Sequence, residues 1–115
     1  MPGFDAGDIV RVPFPYTDRD TTQHRPALVI SDGGVGADRA LIWVLMITSA
    51  QNRAWPGDIA IGDHEAAGLP APSVVRTAKI ATIDAVRAGR LGRLPRPTLE
   101  TVRAAVARNL ESASE

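Results

Sequence analysis

Three side chains in this 115-residue chain have types suited to handling a phosphate or moving a proton. Arg25 ends a polar loop immediately before Pro26, with His24 preceding it, and Thr48 stands with Ser49 at the end of an apolar run. A guanidinium is a permanent cation whose planar donor fork matches phosphate. It is a poor general base because it stays protonated. A threonine hydroxyl can orient a phosphoryl oxygen or a ribose 2′-OH, and imidazole is the usual acid–base group near neutrality. Neighbours on a strand point to opposite faces, so a strand containing both His24 and Arg25 sends them apart. Asp18 and Asp20 read as ordinary loop acids, with a carboxylate base as the lesser alternative. Each candidate has a plain alternative: Arg25 a surface arginine beside a sheet, Thr48 a β-branched residue at a strand end, His24 an exposed loop histidine. On residue type alone those plain readings outweigh the catalytic ones. His64, in a Pro/Gly-rich stretch, reads as structural or solvent-facing. No HExxH motif or Cys/His cluster supports a metal mechanism, so no metal or cofactor is expected.

The elements that must position these residues are mostly strands. Residues 9–14 alternate, with Val10, Val12 and Phe14 on one face. Pro13 and Pro15 remove ladder donors and place that strand at an edge or end it. Residues 16–24 form a polar loop with almost nothing to bury, the kind of segment that carries function on a rigid scaffold. Arg25-Pro26 opens a second strand over 27–31. Residues 41–47 are apolar on both faces and predict a central strand with Trp43 in the core. Residues 51–57 connect to a short strand at 58–61. In the long strand at 73–83, Arg76 and Lys79 fall on opposite faces, which predicts a bulge between them. A last strand spans 89–94. Pro97 suits the first turn of a helix, with Thr98 as an alternative N-cap. Leu99, Val102, Ala105, Val106 and Leu110 then make one apolar stripe over about three turns. Many short strands in so short a chain predict a mainly β fold, a small barrel closed by one amphipathic helix.

The length predicts a single domain over 1–115, with its core at about 7–110. The lack of cysteine excludes disulfides and thiolate metal sites and fits a reducing cytoplasm. The first residues have neither a basic nor an apolar region, so no signal peptide is expected. The longest apolar run has eight residues, whereas a membrane helix needs about 20, so no membrane partner is expected. Thirteen basic and thirteen acidic residues argue against a bulk nucleic-acid binder. Their distribution is uneven: residues 76–108 hold eight basic and two acidic residues, residues 1–75 five and nine. This asymmetry points to a basic face; a solvated surface of an arginine-preferring protein accounts for it equally.

Four motifs, in order, resemble one family. GDIV at 7–10, followed by PF, a polar loop and RPALVIS at 25–31, is similar to the opening of the PemK/MazF toxins. ITSAQN at 47–52 is similar to the family motif at the end of the third strand. SVVRTAKIATID at 73–84 resembles the long fifth strand, and the closing helix follows. The resemblance covers about residues 7–110. It implies an SH3-like β-barrel with a C-terminal helix, usually a homodimer, forming the toxin half of a type II toxin–antitoxin pair. It further implies sequence-specific, metal-independent cleavage of single-stranded RNA, leaving a 2′,3′-cyclic phosphate and a 5′-OH.

The resemblance places Arg25 on the family's catalytic arginine in the RP motif and Thr48 on its catalytic threonine in the ITS motif. RNA contacts are expected from Tyr16 by stacking, from His24, and from Ser49, Gln51 and Asn52 at base edges. Arg76 and Lys79 are expected to guide the phosphate backbone. Packing, solvation and surface charge are the alternatives for these residues. A cognate antitoxin is expected beside Arg25 or in place of the 16–24 loop, through a segment that folds on binding. Met46 and the loop before Arg25 depart from the usual family pattern and leave base specificity open. Two other classes stand beside the nuclease. One is a gyrase poison related to CcdB, against which the RP and ITS motifs argue. The other is a non-catalytic SH3-like binding module, weakened by an aromatic content of 4%.

Overall fold

A computed structural model describes residues 3–15 and 22–111. Six strands form one antiparallel sheet: β1 (Asp8–Pro15), β2 (Thr22–Val29), β3 (Leu41–Ser49), β4 (Asp58–Ala60), β5 (Ser73–Asp84) and β6 (Gly89–Arg93). Helix α1 (Arg96–Leu110) follows. The strand order is β4-β5-β3-β2-β1-β6. This is the mainly β architecture with a closing helix that the sequence predicts. The ladder itself does not close among the described residues, and β4 and β6 are its edges.

The seam between those edges is filled by direct contact. A Cβ on Gly92 of β6 would lie 2.1 Å from the Ala67 carbonyl oxygen, and one on Gly68 would lie 2.1 Å from that of Leu91. Only glycine lets the two backbones approach this closely, and Gly68 also has a φ of 82°. Asp8 secures β6 from the other side. It is 1% exposed, accepts from Arg93 Nη1 (2.6 Å) and pairs with Arg90 Nη1 (2.7 Å), and accepts from the Asp5 N–H (2.8 Å).

Strand β3 is buried on both faces from Val44 to Thr48, as its apolar run requires. One face carries Ile9, Leu28, Leu45, Ile47 and Val75, which pack with Leu99 and Val102 of α1 and with Ile61, Ala67 and Leu69. The other carries Val10, Val12, Ala27, Val29, Val44 and Met46, with Phe4 and Ala85 packed on it. Each fully buried aliphatic side chain contributes about 1.5–3 kcal/mol relative to exposure.

The register of β5 against β3 jumps from Leu45↔Ile80 to Met46↔Arg76, leaving 77–79 unmatched. That is the bulge expected between Arg76 and Lys79. Four local expectations are corrected. Strand β2 starts at Thr22 rather than Ala27, because pairing with β1 supplies order that the polar residues 22–25 do not signal. Trp43 is 47% exposed rather than core; the helix stripe that covers Leu45 and Ile47 leaves it lining a groove. Pro95, not Thr98, is the N-cap. The helix has 15 residues, about four turns rather than three, and Leu110 at its end is 81% exposed rather than packed in the stripe.

Candidate active site

Strand β2 sorts the two adjacent candidates. His24 pairs with Pro13 and Arg25 with Val12, so their side chains leave opposite faces. Arg25 shares the face of Val12 and Ala27 and is half-buried, while His24 is exposed. The β2–β3 ladder runs from Val29↔Val44 to Ala27↔Met46 and stops beside Pro26, which has no N–H to donate. Continued by two residues, that register sets Arg25 opposite Thr48 on one face.

Both residues are held in a way that leaves hydrogen-bonding capacity unused. Arg25 Nε is buried and has no hydrogen-bond partner among the described residues. A buried donor without an acceptor is costly, and such groups gather at functional sites. Thr48 is 6% exposed. Its Oγ1 accepts from Asn52 Nδ2 at 2.6 Å, which leaves the hydroxyl hydrogen free to donate. Asn52 is positioned by its own N–H to the Ser49 carbonyl (3.1 Å). The Gln51 N–H donates to Ser49 Oγ (3.1 Å), so Ser49 orders this turn. Of Ser49, Gln51 and Asn52, the last contacts Thr48 directly, and the first two order the turn that carries it.

Arg76 is on the same face, in a row that crosses Met46, Arg76 and Asp58. Expected to guide phosphate, Arg76 is already engaged through its guanidinium within the protein. It is 7% exposed, donates through Nε and Nη2 to both Asp58 carboxylate oxygens (3.1 and 3.0 Å), and reaches the Arg53 carbonyl (2.8 Å). It also lies 4.3 Å from the centroid of the Trp55 ring. These hydrogen bonds from Arg76 hold the Asp58 carboxyl below its ordinary pKa, against the opposing effect of burial, with further help from the Trp55 N–H. Lys79 is exposed in the unmatched stretch of β5. Tyr16 lies outside the described residues. Asp58 and Trp55 carry no motif; the available signal is a tryptophan in a loop with no other large apolar side chain. No cluster of three or more His, Cys, Asp or Glu side chains suited to a metal occurs among the described residues.

Comparison with known proteins gives this geometry a family. A model of the PemK-like, MazF-like toxin of type II toxin–antitoxin systems matches residues 5–110. MazF from Deinococcus radiodurans superposes with a TM-score of 0.76 at 26% identity, over 96% of this chain and 98% of that one. A MazE–MazF complex from the same organism gives a TM-score of 0.71 at 26% identity, covering 96% of this chain and 98% of that one. An endoribonuclease in complex with its cognate antitoxin, from a mycobacterial species, shares the fold at 21% identity and a TM-score of 0.70, covering 96% of this chain and 98% of that one. No curated protein sequence matches. With nearly its whole length matched, the chain belongs to the PemK-like, MazF-like toxins of type II toxin–antitoxin systems.

Proposed function

We propose that this toxin is a sequence-specific endoribonuclease that cuts single-stranded RNA by attack of a ribose 2′-OH on the adjacent phosphorus. The carrying observation is the unpartnered, buried Nε of Arg25, on the face where the β2–β3 register, extended by two residues, brings it opposite Thr48. The 2′-oxygen bonds to phosphorus, the bond to the 5′-oxygen breaks, and the products are a 2′,3′-cyclic phosphate and a 5′-OH. The 2′-oxygen gives up its proton to solvent water; Arg25 clamps the non-bridging oxygens and supplies the proton that the 5′-oxygen takes up as it leaves, regaining one from solvent. Thr48, its oxygen occupied by Asn52, donates its hydroxyl hydrogen to a phosphoryl oxygen and fixes the attack geometry. The nucleophile belongs to the substrate and the stabilising cation to Arg25, so the reaction needs no metal.

The MazE–MazF and endoribonuclease–antitoxin complexes support a cognate antitoxin as partner. A homodimer belongs to the same reading. We assign it to the apolar groove of about 600 Å³ between β3, β5 and α1, lined by Trp43, Ile80, Val106 and Leu110. The cytoplasm is the compartment in which this toxin meets its RNA.

The test is cleavage of a mixed-sequence RNA in EDTA by wild type, Arg25→Ala and Thr48→Ala, with folding checked by circular dichroism. Wild type should cut at defined sites. Each variant should lose on the order of 10²-fold or more, as for other single donors to a developing charge. No cleavage by wild type, or equal cleavage by all three, overturns the proposal.

A further inference from the structure

Residues 50–57 are exposed and carry one large apolar side chain, Trp55, 41% exposed. The ring is not loose. The Trp55 main chain is pinned to Asp58, its backbone N–H donating to Asp58 Oδ2 (2.9 Å) and its backbone carbonyl accepting from the Asp58 N–H (3.1 Å). The Arg76 guanidinium lies against one face at 4.3 Å, and that guanidinium is itself locked by Asp58 and the Arg53 carbonyl. One face is therefore covered by a fixed cation, and the exposed area lies on the opposite face and edges. The loop bearing Trp55 also bears Asn52, the partner of Thr48. The row through Met46, Arg76 and Asp58 is two residues from the row of Thr48 and Val74 on the same face, a separation of about 7 Å.

From this arrangement we propose that Trp55 is a base-stacking platform for the RNA strand, holding a nucleobase next to the scissile phosphate. The inference rests on the nuclease reading and adds a specificity-determining residue to it. An aromatic ring immobilised on one face by a guanidinium offers its other face to a base without an ordering cost, and every base has a π-face to stack. Its neighbour across the ring is the Arg76 guanidinium, and the same loop exposes three polar side chains, Gln51, Asn52 and Arg53. A site for an apolar protein segment would be lined otherwise, as the groove around Trp43 is.

The test uses an RNA oligonucleotide containing the mapped cleavage site, made uncleavable by a 2′-O-methyl group at the cut ribose, with an abasic nucleotide walked through the flanking positions. Binding to wild type should fall roughly tenfold when one particular base is removed. Trp55→Ala should bind the intact strand roughly tenfold more weakly and show no further loss at that abasic position. Trp55→Leu, which keeps apolar bulk without a π-face, should behave like Trp55→Ala, and Trp55→Phe should recover most of the binding. If wild type cuts RNA but Trp55→Ala and Trp55→Leu retain the wild-type abasic profile, the platform is overturned and the nuclease stands. If wild type cuts no RNA, the abasic walk is made through a single-stranded RNA that it binds, and a Trp55-dependent profile there leaves the platform standing without the nuclease. Absence of both cutting and binding overturns both. Loss of antitoxin binding with unchanged RNA binding makes Trp55 a protein contact and overturns the platform.

Discussion

The two tryptophans are exposed to similar degrees, 41% for Trp55 and 47% for Trp43, yet their surroundings differ in kind. Trp55 sits against a buried ion pair, in an exposed loop that also carries Gln51, Asn52 and Arg53. Trp43 lines an apolar groove with Ile30, Ile80, Val106 and Leu110. They also leave the sheet on different sides, since Trp43 shares the face of Leu45 and Ile47 while Arg76, beneath Trp55, shares that of Met46. Exposure alone says little about an aromatic residue. The chemistry of what backs it separates a surface suited to nucleic acid from one suited to a second protein surface.

The largest expected effect that bears on this contrast is the catalytic one: Arg25→Ala should cost on the order of 10²-fold or more in cleavage rate, while sedimentation shows the same oligomeric state as wild type. A change in both would break the division of labour between the faces. Next comes Asp58→Ala. Its partner Arg76 has a side chain only 9% exposed, so the variant strands a nearly buried cation, at about 3 kcal/mol of stability by thermal or urea unfolding. Asp8→Ala should cost less, about 1–2 kcal/mol. Its partners Arg90 and Arg93 are 52% and 59% exposed at the side chain and can rehydrate. Near-equal losses would show that partner burial does not govern the cost.

Both carboxylates titrate lower in the folded protein. For Asp8, burial opposes this, and the Asp5 N–H with Arg90 and Arg93 outweighs it. For Asp58, the hydrogen bonds from Arg76 dominate. The unfolded chain therefore takes up protons first. The contribution to stability is complete above the unfolded aspartate pKa of about 3.9 and is lost as pH falls through the folded values. Urea midpoints measured from pH 7 down to pH 3 should fall mainly below pH 4, and Asp8→Ala should flatten that decline. The smallest expected change in stability is at the groove. Ile80 is 55% exposed, so Ile80→Glu should shift monomer stability by no more than about 0.5 kcal/mol while abolishing dimerisation in sedimentation.

What the sequence revealed follows from how local each cause is. Strand β3 was legible because burial on both faces writes an unbroken apolar run, and α1 because its stripe recurs at helical spacing. The bulge in β5 showed as broken alternation between Arg76 and Lys79. The start of β2 did not show, since Thr22 to Arg25 are polar and gain their order from pairing with β1. The contacts of Arg76 are hidden from the sequence for a similar reason: they are made with Asp58, 18 residues away, and with a ring in the intervening loop. Trp43 reads as core by its strand pattern, and only the placement of α1 uncovers it. Residue type alone does not single out Arg25 and Thr48; the family resemblance does, and the β2–β3 register, extended by two residues, is consistent with it.

The glycine seam between the 64–69 segment and β6 has a kinetic consequence. Two backbones that touch without sharing a ladder have no amides trapped between them, so separating them breaks no inter-strand hydrogen bonds. Edge amides in β4 and β6 should exchange with deuterium well before those of β3, which lies between β5 and β2. The molecule should breathe at this seam while its central strands stay closed.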